Sequence, residues 1–585
     1  MKYLFLLLVS FVNVTGAIAQ ESGQEIVKLP PLVVSELPEG LPWRFGRVAG
    51  VEVLSLANDY LTADFVAAHL RSRRFVPGAL LAERTAPASF ILFENKSALV
   101  PAVRTHSSNA RWREGTIMYP GQVVQSAGDA LYAAVNLWGT DRWPMADSAF
   151  LREVVVNAPA LPDWIRAGLF GSSGVFAELC VHHERPVIDL PSFLWVSEEV
   201  SAELRQKRFR APELLPMTKL FASPPDGQKE PEALKVWSSQ VGLFARWQLF
   251  GNNGRPIDAE AFWGFALEAC TRPVDETMFR HWLKLSYADA EKEMRGYLRV
   301  AIAAPEMIRI DEVNRPLAEL SELHLRMATE EEVARLKGNF ERMEARRLRC
   351  DFPELADKYA AAARRTFKRG LKANPASGVL RGLLGELEHD LGHADAARPL
   401  LEFAFAHDAL STRGLLDLAR LRLADMRIGL PPDGKLPVEA LDRVLTPLFA
   451  ARARKPPVPE VYQMIADVWA QSAVAPTKRH LAVLLEGAQF FRDDTDYIVA
   501  VIELHRRHGY TAEADALLVL GETWARSDAA RAYYTKLRTT NAPDRKASVK
   551  SMPPPRILTT RRTLLQILYQ DASEWLDPQT APPRT

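Results

Sequence analysis

The sequence predicts an α+β N-terminal part followed by an all-α part built from helical repeats. Three observations lead to this fold class. Short β-rich runs bounded by Pro and Gly alternate with a helical pattern within the first hundred residues. After about residue 316 the strand patterns end, and the chain is rich in Ala, Leu and Arg for more than 200 residues. Within this second part, small residues recur 34 positions apart, which is typical of a repeat protein.

Residues 1–19 have the pattern of an export signal. One lysine precedes an apolar run from Tyr3 to about Val14, and small residues flank Ile18 in the pattern that a signal peptidase recognises. This run is shorter than the roughly 20 apolar residues that a membrane-spanning helix needs. We therefore expect cleavage near Ala19, a periplasmic or secreted mature chain, and no integral membrane segment.

Composition argues against two classes of function. The 73 Lys and Arg residues balance 72 Asp and Glu residues, so no overall positive charge favours nucleic acid as a partner. The only cysteines are Cys180, Cys270 and Cys350, which are too few for a metal site made of cysteines alone. An exported chain permits disulfides, and the sequence leaves open whether these three residues form one.

Residues 30–305 are expected to form the α+β domain. The runs VEVLSLA (51–57) and ASFILFEN (88–95) have strand character, and TADFVAAHLRSRRF (62–75) between them has helical character. Apolar residues recur at helical spacing from about residue 238, and a second helix is expected near residues 287–300. The domain is predicted to end after this helix.

Residues 316–539 are expected to form helical hairpins. Six small residues are predicted to pack the helices or to form the turns between them: Ala363, Gly385, Gly392, Ala397, Gly509 and Ala514. The pattern resembles the tetratricopeptide repeat, which implies a helical solenoid with a concave surface for a peptide or a partner protein. The alternative is that the repeats only support the first domain.

Two proline-rich stretches interrupt or follow these repeats. Residues 427–459 are interpreted as an insertion between repeat units. Residues 540–585 are interpreted as a linker followed by one short amphipathic helix, RTLLQILYQDASEWL.

The stretch APALPDWIRAGLFGSSG, residues 158–174, suggests a family for the first domain. Pro162, Trp164 and Gly168 stand where gluzincin-type zinc peptidases, the peptidase MA-like group, have Pro-x-Trp followed by Glu-Gly. The order of the segments over residues 151–301 resembles that family as well. The resemblance implies a zincin-like fold in which this stretch follows the active-site helix.

The residues that give this family its chemistry are missing. The family motif HExxH places two histidines on one helix face to bind zinc, and the Glu between them polarises the bound water. Residues 145–158, where the motif is expected, contain no histidine. Ala167 stands before Gly168 where the family has the third zinc ligand, Glu, and a methyl group cannot coordinate a metal. The sequence thus predicts a degenerate site in the Trp164 segment, with neither catalytic residues nor a cofactor.

Two histidine clusters offer alternative metal ligands. His182, His183 and Glu184 lie soon after the degenerate segment, but neighbouring side chains point in different directions on a strand or a helix. His389 and His393 have the four-residue spacing of zinc ligands, but they are better explained by a helix end and its turn.

The sequence therefore favours an exported, non-catalytic protein, an envelope scaffold or binding protein whose helical repeats bind a protein or peptide. One alternative is a divergent zinc metallopeptidase that uses His182 or His183. Another is a scaffold in which the repeats supply all the binding and the first domain only anchors them.

Overall fold

A mixed β-sheet with flanking helices forms the first part of the chain, and helices alone form the second. Every strand and helix given below belongs to one compact unit that begins at Trp43. Among the described residues, no helix has the length and apolar character needed to cross a membrane. The structure, a computed structural model, describes residues 42–73, 84–94, 115–119, 122–137, 161–170, 175, 179–182, 185–188, 214–222, 224–225, 229–251, 258–303, 308–309, 318–350, 352–431, 434–525 and 528–540.

The described strands form two sheets. The larger has the order β10-β1-β2-β3-β6-β5-β4, and the smaller has the order β7-β8-β9. The strands are β1 Arg44–Val48, β2 Val51–Ser55, β3 Ala88–Phe93, β4 Gly115–Tyr119, β5 Gln122–Ala127, β6 Ala130–Asn136, β7 Leu179–His182, β8 Arg185–Ile188, β9 Ile308–Arg309 and β10 Arg326–Met327.

The central strands of the larger sheet pair in parallel, and the strands towards both edges pair antiparallel. Strand β3 pairs in parallel with β2 and with β6. Helix α1, Asp59–Arg73, connects β2 to β3, as a parallel pair requires a crossover connection. The strand and helix patterns at the start of the sequence thus correspond to β2, α1 and β3.

Both faces of this sheet are covered by helices. Because side chains alternate along a strand, Val53 packs on the side of α1 whereas Leu54 packs on the opposite side. Leu336 and Phe340, from the start of the all-helical part, cover that opposite side. Burial of both faces explains why β3 is almost continuously apolar and why even the polar residues of β2, Glu52 and Ser55, are buried.

A bundle of helices follows the sheet in sequence. It consists of α2 Asp163–Phe170, α3 Met217–Leu220, α4 Pro231–Phe250, α5 Ala259–Ala269, α6 Glu276–Leu283 and α7 Tyr287–Ala303. Asp258 and Asp275 accept hydrogen bonds from the first turns of α5 and α6, so local N-caps define where these helices begin. The helical spacing from about residue 238 and near residues 287–300 corresponds to α4 and α7.

The remaining described elements are helices joined by short loops. They are α8 Glu330–Val333, continued by a π-helical turn at Ala334–Gly338, α9 Asn339–Leu348, α10 Pro353–Ala373, α11 Gly378–Asp390, α12 Ala394–Ala406, α13 Thr412–Arg427, α14 Val438–Arg452, α15 Pro459–Ala470, α16 Lys478–Phe490, α17 Thr495–Arg507, α18 Thr511–Trp524 and α19 Asp528–Thr540. N-cap side chains start several of them: Ser377, Ser411, Thr477 and Asp494.

The proline-rich stretch 427–459 contains a helix that the sequence analysis did not predict. Helix α14 includes Pro447, which lacks the backbone N–H needed for an internal hydrogen bond. Leu441, Val444 and Leu448 of α14 are nonetheless buried in the same core as α13 and α15. Tertiary burial therefore outweighs the local cost of the proline.

Candidate functional site

The Trp164 segment forms helix α2 and lies in the core of the helical bundle. The Trp164 side chain is 2% exposed. Its ring centroid lies 5.1 Å from that of Phe221, 5.3 Å from that of Phe265 and 5.9 Å from that of Phe244. These separations are typical of aromatic pairs that contribute to packing. In the structure, Trp164 therefore holds α2 against α4, α5 and Phe221, the residue that follows α3.

Gly168 allows α2 to approach α4 closely. A Cβ atom added to Gly168 would lie 2.8 Å from the backbone oxygen of Val241 in α4. The backbone oxygen of Gly168 also accepts a hydrogen bond of 2.9 Å from the backbone N–H of Val175. The contact partner is backbone, which cannot move aside as a flexible side chain does, so only glycine fits here.

Replacing Gly168 with alanine is expected to lower the free energy of unfolding by about 1–3 kcal/mol, because the added methyl group overpacks the contact between α2 and α4. The matched control is Gly296→Ala in α7, where an added Cβ would meet no atom within 4 Å. That change is expected to raise the free energy of unfolding by about 0.4–1 kcal/mol, because alanine restricts the unfolded chain. Denaturant titration of both variants measures the two effects; equal stability of the variants would contradict the account.

Ala167 is the residue at which the sequence resemblance predicts a lost zinc ligand. Its side chain is partly buried and packs against the bundle core. The methyl group offers no donor atom, so the described part of this segment does not fit a zinc ion. Residues 145–158, where the sequence lacks the HExxH motif, lie outside the described residues.

The structure describes only part of the other candidate cluster of metal ligands. His182 is the last residue of β7, and its backbone pairs with Arg185 of β8. His183 and Glu184 lie outside the described residues. Cys180 also belongs to β7. Cys270 and Cys350 form no disulfide among the described residues, and the Cys270 thiol donates to the backbone oxygen of Ala266 at 3.3 Å.

The residues predicted to pack the repeats lie in helices or in the turns between them. Three of them are completely buried: Ala363, Ala397 and Ala514. An added Cβ at Gly385 would lie 2.9 Å from Cγ of Leu401, so α11 and α12 approach closely there. Gly392 and Gly509 occupy the turns after α11 and α17 with φ of +80° and +82°. Glycine adopts this backbone region without steric cost.

His389 takes part in the one group of described residues with metal-like spacing. Its ligand atom and those of Asp390 and Asp417 lie within 4.8 Å of one another. Both carboxylates, however, are already bound by arginines. Asp417 pairs with Arg413 at 2.9 Å and Arg420 at 3.0 Å.

These arginines make a cation site unfavourable here. Asp390 pairs with Arg342 at 2.9 Å, and Arg346 and Arg413 each lie 3.6 Å from it. Guanidinium groups occupy the carboxylate lone pairs that a metal would use, and their charges repel a cation at this distance. His393, the other histidine of the pair, instead lies 2.8 Å from Glu388. The two histidines therefore do not converge on a common ligand position.

The same charged groups form a buried ion network between α9, α11 and α13. At its centre, Arg342 pairs with Glu386 at 2.9 Å, and the two side chains are 3% and 1% exposed. Burial disfavours the charged guanidinium, but the charges of Glu386 and Asp390 outweigh burial and raise the pKa of Arg342. Burial also raises the pKa of Glu386, although the charge of Arg342 opposes it. We call Arg342, Glu386, Asp390, Arg413 and Asp417 the junction network.

Hydrogen bonds connect the junction network to the sheet. The Nε–H of Arg342 donates to Asn339 at 2.9 Å, and the side-chain amide of Asn339 donates to the Tyr132 hydroxyl at 3.0 Å. Nearby, Arg335 forms a bidentate ion pair with Glu52 at 2.7 and 2.8 Å. Charges and dipoles therefore fix how the first helices of the all-α part sit on the sheet.

Sequence reasoning did not find the junction network. A signal was present, because Glu386 and Asp390 are four residues apart and therefore share one face of α11, among residues that are otherwise mostly apolar. Their partner Arg342 lies more than forty positions earlier, and no local pattern indicates that pairing.

Comparisons with known proteins do not assign a family. No family model matches this chain, and no curated protein matches it.

Proposed function

We propose that this chain is an exported, non-catalytic binding protein. In this proposal the α+β part has a peptidase MA-like ancestry but has lost the zinc ligands, and the helical part binds a protein or peptide. The export signal predicted at residues 1–19 supports its location in the cell envelope or outside the cell.

One observation carries the non-catalytic assignment. The helix with Trp164 and Gly168 is packed into an apolar core. It carries Ala167 at the position where the proposed ancestry implies the third zinc ligand. A catalytic zinc needs three protein ligands and an open coordination position for water. Ala167 supplies no ligand atom to such a site.

The helical part supports the binding role. Fully buried alanines 34 positions apart, at Ala363 and Ala397, fit the regular helix contacts of a repeat array. The turns at Gly392 and Gly509 use the same left-handed glycine geometry. Arrays of this kind present extended surfaces to partners.

The test is zinc content and peptide hydrolysis of the purified mature chain. Wild type and Ala167→Glu are both expected to contain less than stoichiometric zinc and to lack chelator-sensitive cleavage, since a single carboxylate does not restore a three-ligand site. Stoichiometric zinc with chelator-sensitive hydrolysis, lost in the His182→Ala/His183→Ala double variant, would instead establish the divergent zinc metallopeptidase.

A further inference from the structure

Helix α18 exposes a face that carries no charge. Ala512, Ala516, Val519 and Thr523 follow one another at spacings of four, three and four residues, so they share one face of the helix. All four residues are exposed, and Val519 is 55% exposed. We call these four residues the α18 face. A helix face in contact with water normally carries charged side chains, and this face has none.

The charged residues of α18 lie beside this face and bind neighbouring helices. Glu513 pairs with Lys478 of α16 at 2.6 Å. Glu522 pairs with Arg538 of α19. Asp515, the third acidic residue of α18, is partly buried. These carboxylates therefore connect α18 to the helices around it and leave its outermost residues uncharged.

Helix α10 has an outer face of the opposite kind. Its residues Lys358, Arg365, Lys368 and Lys372 are all exposed and all basic. A helix of this chain that faces water thus presents charges to it. The α18 face has instead the composition of a surface that another helix covers.

The α18 face belongs to the last helical hairpin that the structure describes. Tyr534 of α19 packs closely against α18, since an added Cβ at Gly521 would lie 2.5 Å from Cε1 of its ring. The terminal unit of a helical array needs a polar outer surface to keep the array soluble. An uncharged face at this place indicates that a further element covers it.

The chain itself offers such an element. Residues 541–585 follow α19 and lie outside the described residues. Within them, Leu565, Leu568, Ala572 and Trp575 are spaced three, four and three residues apart, which predicts an apolar face on a helix over residues 562–576. Such a helix is about 22 Å long, and α18, with 14 residues, is about 21 Å long. The two lengths match.

The linker between α19 and this segment is long enough for the segment to reach α18. Residues 541–561 separate Thr540 from the segment. A flexible linker of this length has a root-mean-square span of about 25 Å, and three consecutive prolines extend it further. Because the segment is tethered, its effective concentration at α18 is in the millimolar range. A weak apolar contact within the chain therefore competes well against a separate partner.

We propose that residues 562–576 pack across the α18 face and cap the helical part of the chain. The segment buries its own apolar side chains and Val519 in the same contact, and removal of apolar surface from water provides the free energy. This proposal goes beyond the proposed function and does not depend on it. Its consequence is that partners bind elsewhere on the helical part.

The test is thiol labelling of the full mature chain that carries Val519→Cys. With the segment intact, maleimide is expected to label this thiol at least tenfold more slowly than the thiol of Val438→Cys. Val438→Cys is the matched control, because Val438 is also 55% exposed but lies on α14. Mass spectrometry of peptides separates the new thiol from Cys180, Cys270 and Cys350. Circular dichroism checks that both variants are folded.

A second pair of variants tests whether the segment is what protects the thiol. Leu565→Asp/Leu568→Asp is expected to speed the labelling of Val519→Cys at least tenfold, because charged side chains on the apolar face of the segment oppose its burial. Gln566→Asp/Gln570→Asp adds the same charge on the other side of the predicted helix. This control is expected to leave the protection unchanged.

Three outcomes would overturn the proposal. Equally fast labelling of Val519→Cys and Val438→Cys means that nothing covers the α18 face. Protection that survives Leu565→Asp/Leu568→Asp means that another element covers it. Protection that rises with protein concentration assigns the face to a second copy of the chain. None of these outcomes alters zinc content or peptide hydrolysis, so the assignment as non-catalytic is tested separately.

Discussion

Replacing Arg342 with methionine is expected to lower the free energy of unfolding by about 3–5 kcal/mol. The side chain is 3% exposed and pairs with Glu386 and Asp390. Its removal leaves Glu386, which is 1% exposed, without its cationic partner in a region closed to water. The hydrogen bond that the Ser411 hydroxyl donates to Glu386 remains, but a hydroxyl does not neutralise a buried carboxylate. Denaturant titration followed by circular dichroism measures the loss.

Two further variants test whether the expected loss of stability depends on burial of the ion pair. Arg369→Met removes an exposed ion pair with Glu330 and is expected to cost less than about 1 kcal/mol. Adding Glu386→Gln to Arg342→Met is expected to recover part of the loss, because an amide needs no counter-charge. If Arg342→Met is no more destabilising than Arg369→Met, the junction network does not hold α9 against α11.

Replacing Trp164 with alanine is expected to cost about 3–5 kcal/mol, because it removes a buried aromatic side chain and leaves a cavity. The ring contacts Phe221 after α3, Phe244 in α4 and Phe265 in α5, so its loss weakens the packing of all three regions. Thermal or denaturant unfolding of the full chain reports the effect.

Trp164→Phe is the matched control for this position. It keeps an aromatic ring, so it is expected to retain most of the stability that Trp164→Ala loses. A Trp164→Ala variant as stable as wild type would show that the tryptophan is not part of the core.

The coarse fold could be predicted because the apolar patterns in the sequence coincide with the residues that are buried in the folded chain. The run around Val53 is strongly apolar, and it forms a central strand covered on both faces. Ala363 and Ala397, which the sequence pattern predicts as helix-packing positions, are both buried in helices. The sequence patterns therefore predict a mixed first part followed by helices.

What escaped prediction depends on distant partners. Helix α14 contains Pro447 and lies among prolines, so its local pattern indicates a loop although burial makes it a helix. The pairings of Arg342 with Glu386 and of Arg335 with Glu52 join positions that only the folded chain brings together.

The most direct test of the central claim is zinc-edge anomalous diffraction from crystals of the mature chain grown with excess zinc. The account predicts no anomalous peak beside Ala167, with Trp164 and Gly168 packed against α4 as described. A peak at that segment, coordinated by three protein side chains and one water, would contradict the account and restore the segment to a catalytic role.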